Sequence, residues 1–246
     1  MPHHEGGAHA EQAGPPPLNR LIFAGSSVIH REAERRPFQV KFLKAELPRD
    51  AYTEYLAQLS FVYSALEDVD WALKDDDVVG RMFSPELHRH ESIDADMTFF
   101  AGEGWRSKVE PSPATQRYVE RLRWAQEECP PAFVSHQWLR YLGNVLGQHV
   151  LHRIMRKAYG LTSDEGMRFY VYDKIADPKA YLGEYHARMN SMPLDDATKR
   201  IVVEEGNKAF QLQIELSDEL GARFGIGEID AEETEKILSD LAAEHG

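Results

Sequence analysis

Apolar residues recur every three or four positions along most of this chain, and the breaks in that rhythm mark its elements. From 18 to 36, Leu18, Ile22, Val28, Ile29 and Ala33 share one side, and Pro37 ends the run. Pro37 opens a short helix over 37–46 that carries Phe38, Val40, Phe42 and Leu43. Pro48 starts the next and longest helix. Its Tyr52, Tyr55, Leu56, Leu59, Val62, Tyr63, Leu66 and Val69 repeat over about seven turns before Asp75-Asp76-Asp77 closes it. Further helices are expected over 85–100, 114–128, 132–159, 178–192 and 194–224, with a weak acidic one over 231–245. The exception is 161–177, where Met167-Arg-Phe-Tyr-Val-Tyr172 has strand propensity. A single short strand has nothing to pair with, so this segment reads as extended surface chain. Residues 1–17 end in Pro15-Pro16-Pro17 and read as a disordered leader with a stiff end. With no repeats and no long linker, the pattern predicts an all-α, single-domain, multi-helix fold over 18–225. An acidic helix or tail follows over 226–246.

One stretch breaks the helical rules from within. Between Ser135 and Leu151, apolar side chains keep helical spacing, yet Gly143 and Gly147 interrupt it. Each costs roughly 1 kcal/mol against Ala in a helix interior. Residues four apart stack, which places His136, Arg140, Gly143 and Gly147 on one face. Two bare turns serve either close packing of another helix, or a kink, or a broad flat molecule lying on the backbone.

Composition narrows the function. A net charge of −13 and a pI near 5.3 exclude the basic face of a nucleic-acid binder. Mean hydropathy is −0.50, and no apolar run approaches the ~18 residues of a membrane span. The polar first residues lack a secretory core, so a cytoplasmic protein is expected. The one cysteine, Cys129, excludes an internal disulfide framework and any CxxC motif. His30 has Glu34 one turn later, which fits a satisfied structural histidine or an oriented ligand.

Five segments then share a pattern: His30-Arg-Glu-Ala-Glu34, Pro113-Ala-Thr-Gln-Arg-Tyr-Val-Glu-Arg-Leu122, Ser135-His-Gln-Trp-Leu-Arg-Tyr-Leu-Gly143, Tyr185-His-Ala-Arg-Met-Asn190, and Glu204 through Phe210. In this order the chain resembles the biliverdin-forming heme oxygenases, over residues 18 to 221. The resemblance implies a heme between the first helix and the glycine-bearing one. Heme is then both cofactor and substrate, cleaved with O₂ and reductant to biliverdin, CO and iron. It implies His30 as the iron ligand, supported by Glu34, and Gly143 and Gly147 as distal glycines. Arg140 falls in the distal hydrogen-bond network, and Phe210 contacts the heme. The electron donor implied is a ferredoxin or a flavin reductase.

The departures from that family are specific. Asn144 stands where the family has a distal aspartate, and an amide cannot titrate or carry charge. Ser60 stands where a network tyrosine is expected. Leu146 replaces a serine, and Gln148 replaces a second glycine. On the propionate side, Phe23 and Leu182 replace lysines and His186 replaces an arginine, leaving Arg188, Arg20 and Trp138 as candidates to compensate. The competing reading is a heme-binding sensor or carrier of the same fold that leaves the ring closed. A second axial ligand from His149 or His152 would suit that reading. His88 and His90 read as solvated. A di-metal carboxylate site would need Glu-x-x-His pairs, which the chain lacks.

Overall fold

The computed structural model describes residues 16–245. Most of the expected leader, residues 1–15, lies outside that range. Ten α-helices carry the described chain: α1 Leu18–Glu34, α2 Pro37–Leu43, α3 Arg49–Ala72, α4 His90–Ala101, α5 Pro113–Glu128, α6 Pro130–Gln137, α7 Gly143–Tyr159, α8 Pro178–Asn190, α9 Asp196–Arg223 and α10 Ala231–His245. There is no strand among the described residues, and none of their helices is long and apolar enough to cross a membrane.

Local chemistry explains the helix starts. Proline occupies the first turn of α2, α5, α6 and α8, where its missing N–H is not needed. Ser112, Asp177 and Asp195 cap α5, α8 and α9 by accepting the N–H of Thr115, Ala180 and Thr198 at 3.3, 3.0 and 2.7 Å. The core is aliphatic and aromatic, with Ile22, Tyr52, Leu56, Val62, Leu66, Tyr118, Leu122, Val145, Tyr185 and Val202 all buried. α1 lies along α9, and Gly25 permits that approach: a Cβ there would sit 2.4 Å from Val203 Cγ1.

Five expectations need correction. Val28 is 70% exposed; the buried stripe of α1 runs through Leu18, Ile22, Ser26 and Ala33 instead. Ser26 tolerates burial because its hydroxyl donates to the Ile22 carbonyl at 2.7 Å. α9, at 28 residues, is longer than α3, at 24. The helix expected over 85–100 is a 3₁₀ turn, Pro85–Leu87, followed by α4. The restart is fixed by Glu67, whose carboxylate accepts the N–H groups of Arg89 and His90 at 2.5 and 2.7 Å. His88 is therefore not solvated: its Nε2 lies 2.8 Å from buried Asp70. Finally, the segment before α8 is not surface chain. Met167, Phe169, Tyr170 and Tyr172 are buried, with a 3₁₀ turn over Arg168–Tyr170. Asp96 of α4 holds that turn by accepting the N–H groups of Arg168 and Phe169 at 2.9 and 2.8 Å. Burial pushes the Asp96 carboxyl up to about 6 despite those bonds.

A buried ion cluster ties α5, α6 and α9. Glu205 accepts from Arg121 Nε and Nη2 at 2.8 and 2.5 Å, and its other contact is His136 Nε2 at 2.8 Å. Burial opposes the Glu205 charge, but Arg121 and His136 outweigh it and hold the carboxyl down at about 2. Burial keeps His136 neutral by lowering its own pKa. Removing one partner strands the others, so Glu205→Ala is expected to cost about 3 kcal/mol in urea unfolding at neutral pH. Because the folded carboxyl titrates below its ordinary value of 4.5, the stabilisation is present above that pH and fades as pH falls toward 2. The gap between wild type and variant should close over that acid window.

Candidate functional site

Between α1 and the start of α7 lies a cavity of about 540 Å³. Phe23, His30, Ala33 and Glu34 form its α1 wall. Trp138, Leu139, Arg140 and Leu142 face it from the α6–α7 junction, and Gly143, Asn144, Leu146, Gly147 and Val150 from α7. Phe210 and Gln213 of α9 and Leu182 and His186 of α8 complete the rim, while Tyr55, Tyr63, Phe169 and Tyr170 line its inner end.

His30 is packed but not consumed. Its ring stacks on Phe210 with centroids 4.8 Å apart and planes 28° apart. Its Nε2 lies 3.4 Å from Glu34 Oε1, a distance that orients the ring without a short hydrogen bond, and 40% of the side chain remains exposed. An imidazole held from one side and open on the other can ligate iron.

Across the cavity the chain departs from a regular α-helix. Trp138–Leu142 forms a π-helical turn between α6 and α7. Such a turn inserts a residue into the i→i+4 ladder and is frequent at functional sites. It breaks the single face expected from His136 to Gly147. His136 turns to Glu205 in the core, whereas Arg140, Gly143 and Gly147 reach the cavity. A Cβ built on Gly143 would meet nothing within 4 Å. Close helix packing therefore does not explain this glycine, which borders open space in the cavity.

Arg140 is the one strong cation in this wall. Its Nε donates to Tyr118 Oη at 2.9 Å, and its Nη1 donates to Gln213 Oε1. Its guanidinium also sits 4.5 Å over the Tyr118 ring. Nη2 is buried with no partner in the protein. Burial opposes the charge, but the phenols of Tyr118, Tyr63 and Tyr55 outweigh it, so the guanidinium titrates above its usual range. A buried charged donor without an acceptor calls for one supplied by a ligand.

The heme oxygenase family model matches residues 18–219. The chain belongs to the heme oxygenase family. It is 36% identical to heme oxygenase 1 of Gallus gallus over 205 residues, covering 82% of this chain and 69% of that protein. It is also 36% identical to heme oxygenase 1 of the cyanobacterium Synechocystis over 196 residues, covering 80% of this chain and 81% of that one. Among solved structures, Synechocystis heme oxygenase-1 in complex with heme superimposes with a TM-score of 0.80 at 31% identity, covering 93% of this chain and 99% of that chain. Synechocystis heme oxygenase-2 in complex with heme and NO gives 0.82 at 30% identity, covering 90% and 92%.

Against that family pattern, the remaining residues of this heme oxygenase take definite places. Ser60 is buried outside the cavity and donates to the Ala57 carbonyl at 2.6 Å. Tyr63, by contrast, lines the cavity and donates to the Arg140 carbonyl at 2.9 Å. Its place in the apolar stripe of α3 hid it in the sequence. Gln213 was missed as well; the only signal for it was its position one turn after Phe210. Asn144 lines the cavity, and its amide reaches the Arg140 carbonyl only at 3.5 Å.

Phe23, Leu182 and His186 all stand at the rim, so the family's basic edge is apolar here apart from one imidazole. Burial lowers the His186 pKa. Arg188 lies outside the cavity wall, donating to the carbonyls of Arg81 and Phe83 at 3.2 and 3.4 Å and to Ser84 Oγ at 3.0 Å. Arg20 is also outside it, whereas Trp138 is within. Neither His149 nor His152 lines the cavity, whereas Gly143 and Gly147 do.

Proposed function

We propose that this enzyme opens heme to biliverdin, CO and iron, with His30 as the axial ligand and O₂ admitted on the glycine side. The observation that carries this reading is the pairing of an accessible imidazole on α1 with a Cβ-free wall on α7. The heme supplies the iron at which oxygen is reduced and the ring carbon that is attacked. The chain's residues do the rest. Phe210 stacks on the ligand ring and Glu34 orients it. Gly143 and Gly147 leave room over the macrocycle for a diatomic molecule. Arg140, with Nη2 free, offers a donor to polar atoms on that face and is itself held by Tyr118 and Gln213. His186 and Trp138 meet the propionate edge, in the absence of the two lysines. The acting unit is 18–225 with 226–246 appended, working in the cytoplasm with a ferredoxin or a flavin reductase as donor.

A single turnover tests the reading. Hemin is bound to the purified protein, a ferredoxin with its reductase and catalase is added in air, and the visible spectrum is followed. Loss of the Soret band with growth of a biliverdin band is expected. A stable oxy- or ferrous-heme spectrum would instead favour the sensor or carrier. In the same assay Asn144→Asp should speed biliverdin formation severalfold, because it returns a titrating acid to the oxygen side. An unchanged or slower rate would show that protons arrive by another route.

A further inference from the structure

The last residue of α6, Gln137, is buried and stands directly before the π-helical turn Trp138–Leu142. A glutamine in such a place is unfavourable unless both halves of its amide find partners. Here both are engaged, by two different elements. Its Nε2 donates to Asp70 Oδ1 of α3 at 2.5 Å, and its Oε1 accepts a longer bond, 3.4 Å, from Tyr185 Oη of α8. A leucine or methionine would fill the same volume and need neither partner.

Packing accounts for Asp70 even less. It is 4% exposed, and a carboxylate is among the costliest groups to bury. Besides Gln137 it meets His88 Nε2 at 2.8 Å and the Ser84 N–H at 3.5 Å. The His88 ring is set edge-on against Trp71 and Phe83, with centroids 6.1 Å from each. Asp70 lies two helical turns after Tyr63 on α3, so one face of that helix holds the π turn at two points. Tyr63 donates to the Arg140 carbonyl inside the turn, and Asp70 grips the residue at its start. A π turn carries one residue more than an α-helix needs, so its register has to be held. A slip of one residue would rotate Arg140 by roughly 100° about the helix axis. That would carry its guanidinium off Tyr118 and Gln213 and away from the cavity.

We propose that Asp70 and Gln137 are positioning residues for the reaction. The Asp70 carboxylate, itself held by His88, grips the Gln137 amide and fixes the register of the π turn, which keeps Arg140 Nη2 aimed at the oxygen-binding face. This rests on the oxygenase reading above. Neither residue lines the cavity, so each acts through Arg140 and not on the heme. The role explains why a buried amide and a buried carboxylate stand where apolar side chains would pack: a directional bond sets one register, which an apolar contact does not.

The test reads the C–O stretching band of the hemin-loaded, reduced, CO-bound protein, which responds to a donor beside the diatomic molecule. Gln137→Met keeps the length of the side chain and removes both of its hydrogen bonds. We expect wild-type hemin affinity and Soret band, a shifted C–O band, and biliverdin formation slowed by about tenfold in single turnover. In an Arg140→Met background, Gln137→Met should add no further shift and no further slowing, because its effect passes through Arg140. A general packing defect would add to both. Asp70→Asn keeps the shape and an acceptor oxygen but drops the charge, and should shift the band the same way by less. A wild-type band and rate in Gln137→Met overturn the proposal, as does additivity with Arg140→Met. If Gln137→Met does not fold, Asp70→Asn decides: a shift that vanishes in the Arg140→Met background supports the role, and an unchanged band overturns it. A wild-type protein that binds hemin but never opens it is a separate result. It refutes the oxygenase reading, while the C–O band still reports whether Gln137 sets Arg140.

Discussion

His30→Ala abolishes the ligated heme spectrum. Hemin should still enter the cavity, held by its apolar walls, but with affinity lower by roughly a hundredfold, about 2.8 kcal/mol. The reasoning is local. The described cavity wall contains two imidazoles, His30 and His186, on different helices. Of the two, His30 is the one stacked on an aromatic ring, Phe210 at 4.8 Å. His186→Ala should therefore keep the Soret position while weakening hemin at its propionate edge. The fold should tolerate the loss of His30, since its side chain is 40% exposed and its only polar contact is the loose one to Glu34; such changes usually fall within about 0.5 kcal/mol. Hemin titration and the melting curve of the same preparation separate the two effects. Adding imidazole to His30→Ala should bring the Soret band back. An unchanged Soret band in the variant sinks the assignment of His30 as ligand.

Much of this site could be read from the residues alone, for a physical reason. Glycine in a helix interior is a standing cost, so Gly143 and Gly147 announce that their side of α7 is used. His30 with Glu34 was legible because i, i+4 spacing holds within one α-helix, whereas Phe210 was marked only by the resemblance to the heme oxygenases. That rule failed where the helix changed type. Nothing in the composition of Trp138–Leu142 signals a π turn, so His136 was placed beside Arg140 when it belongs with Glu205 in the core. Tyr63 was invisible for a different reason. A residue that is both part of an apolar stripe and a hydrogen-bond donor looks like core until its partner, the Arg140 carbonyl, is located.

The segment around Phe169 and Tyr170 shows the limit of propensity. Its β-type residues were real, but no second strand existed, and extended surface chain was the remaining option. The option that sequence could not show is a side chain doing the work of a strand. Asp96 accepts the N–H groups of Arg168 and Phe169, and so allows this backbone to be buried and its aromatics to floor the cavity. Likewise, Arg188 was a reasonable substitute for the lost lysines on charge alone. Its donors are committed to Arg81, Phe83 and Ser84, which is a matter of where α8 meets the chain near 81–84.

Gly143→Leu separates stability from function most sharply. In the protein without heme, a Cβ at 143 meets no atom within 4 Å, so a side chain there starts into open space. Replacing a helical glycine also removes most of its roughly 1 kcal/mol propensity penalty. The variant is therefore expected to be at least as stable as wild type in urea. Function should move the other way. The added isobutyl group fills the space that a flat macrocycle and a bound diatomic molecule must share, opposite His30. We expect hemin to bind more weakly and biliverdin formation to fall by about a hundredfold or more, in proportion to transition-state geometry lost at the reacting face. Gly143→Ala should fall between the two. A Gly143→Leu protein that is stabilised but still turns over at the wild-type rate would show that heme lies elsewhere along the cavity. A destabilised one would show that the glycine serves packing after all.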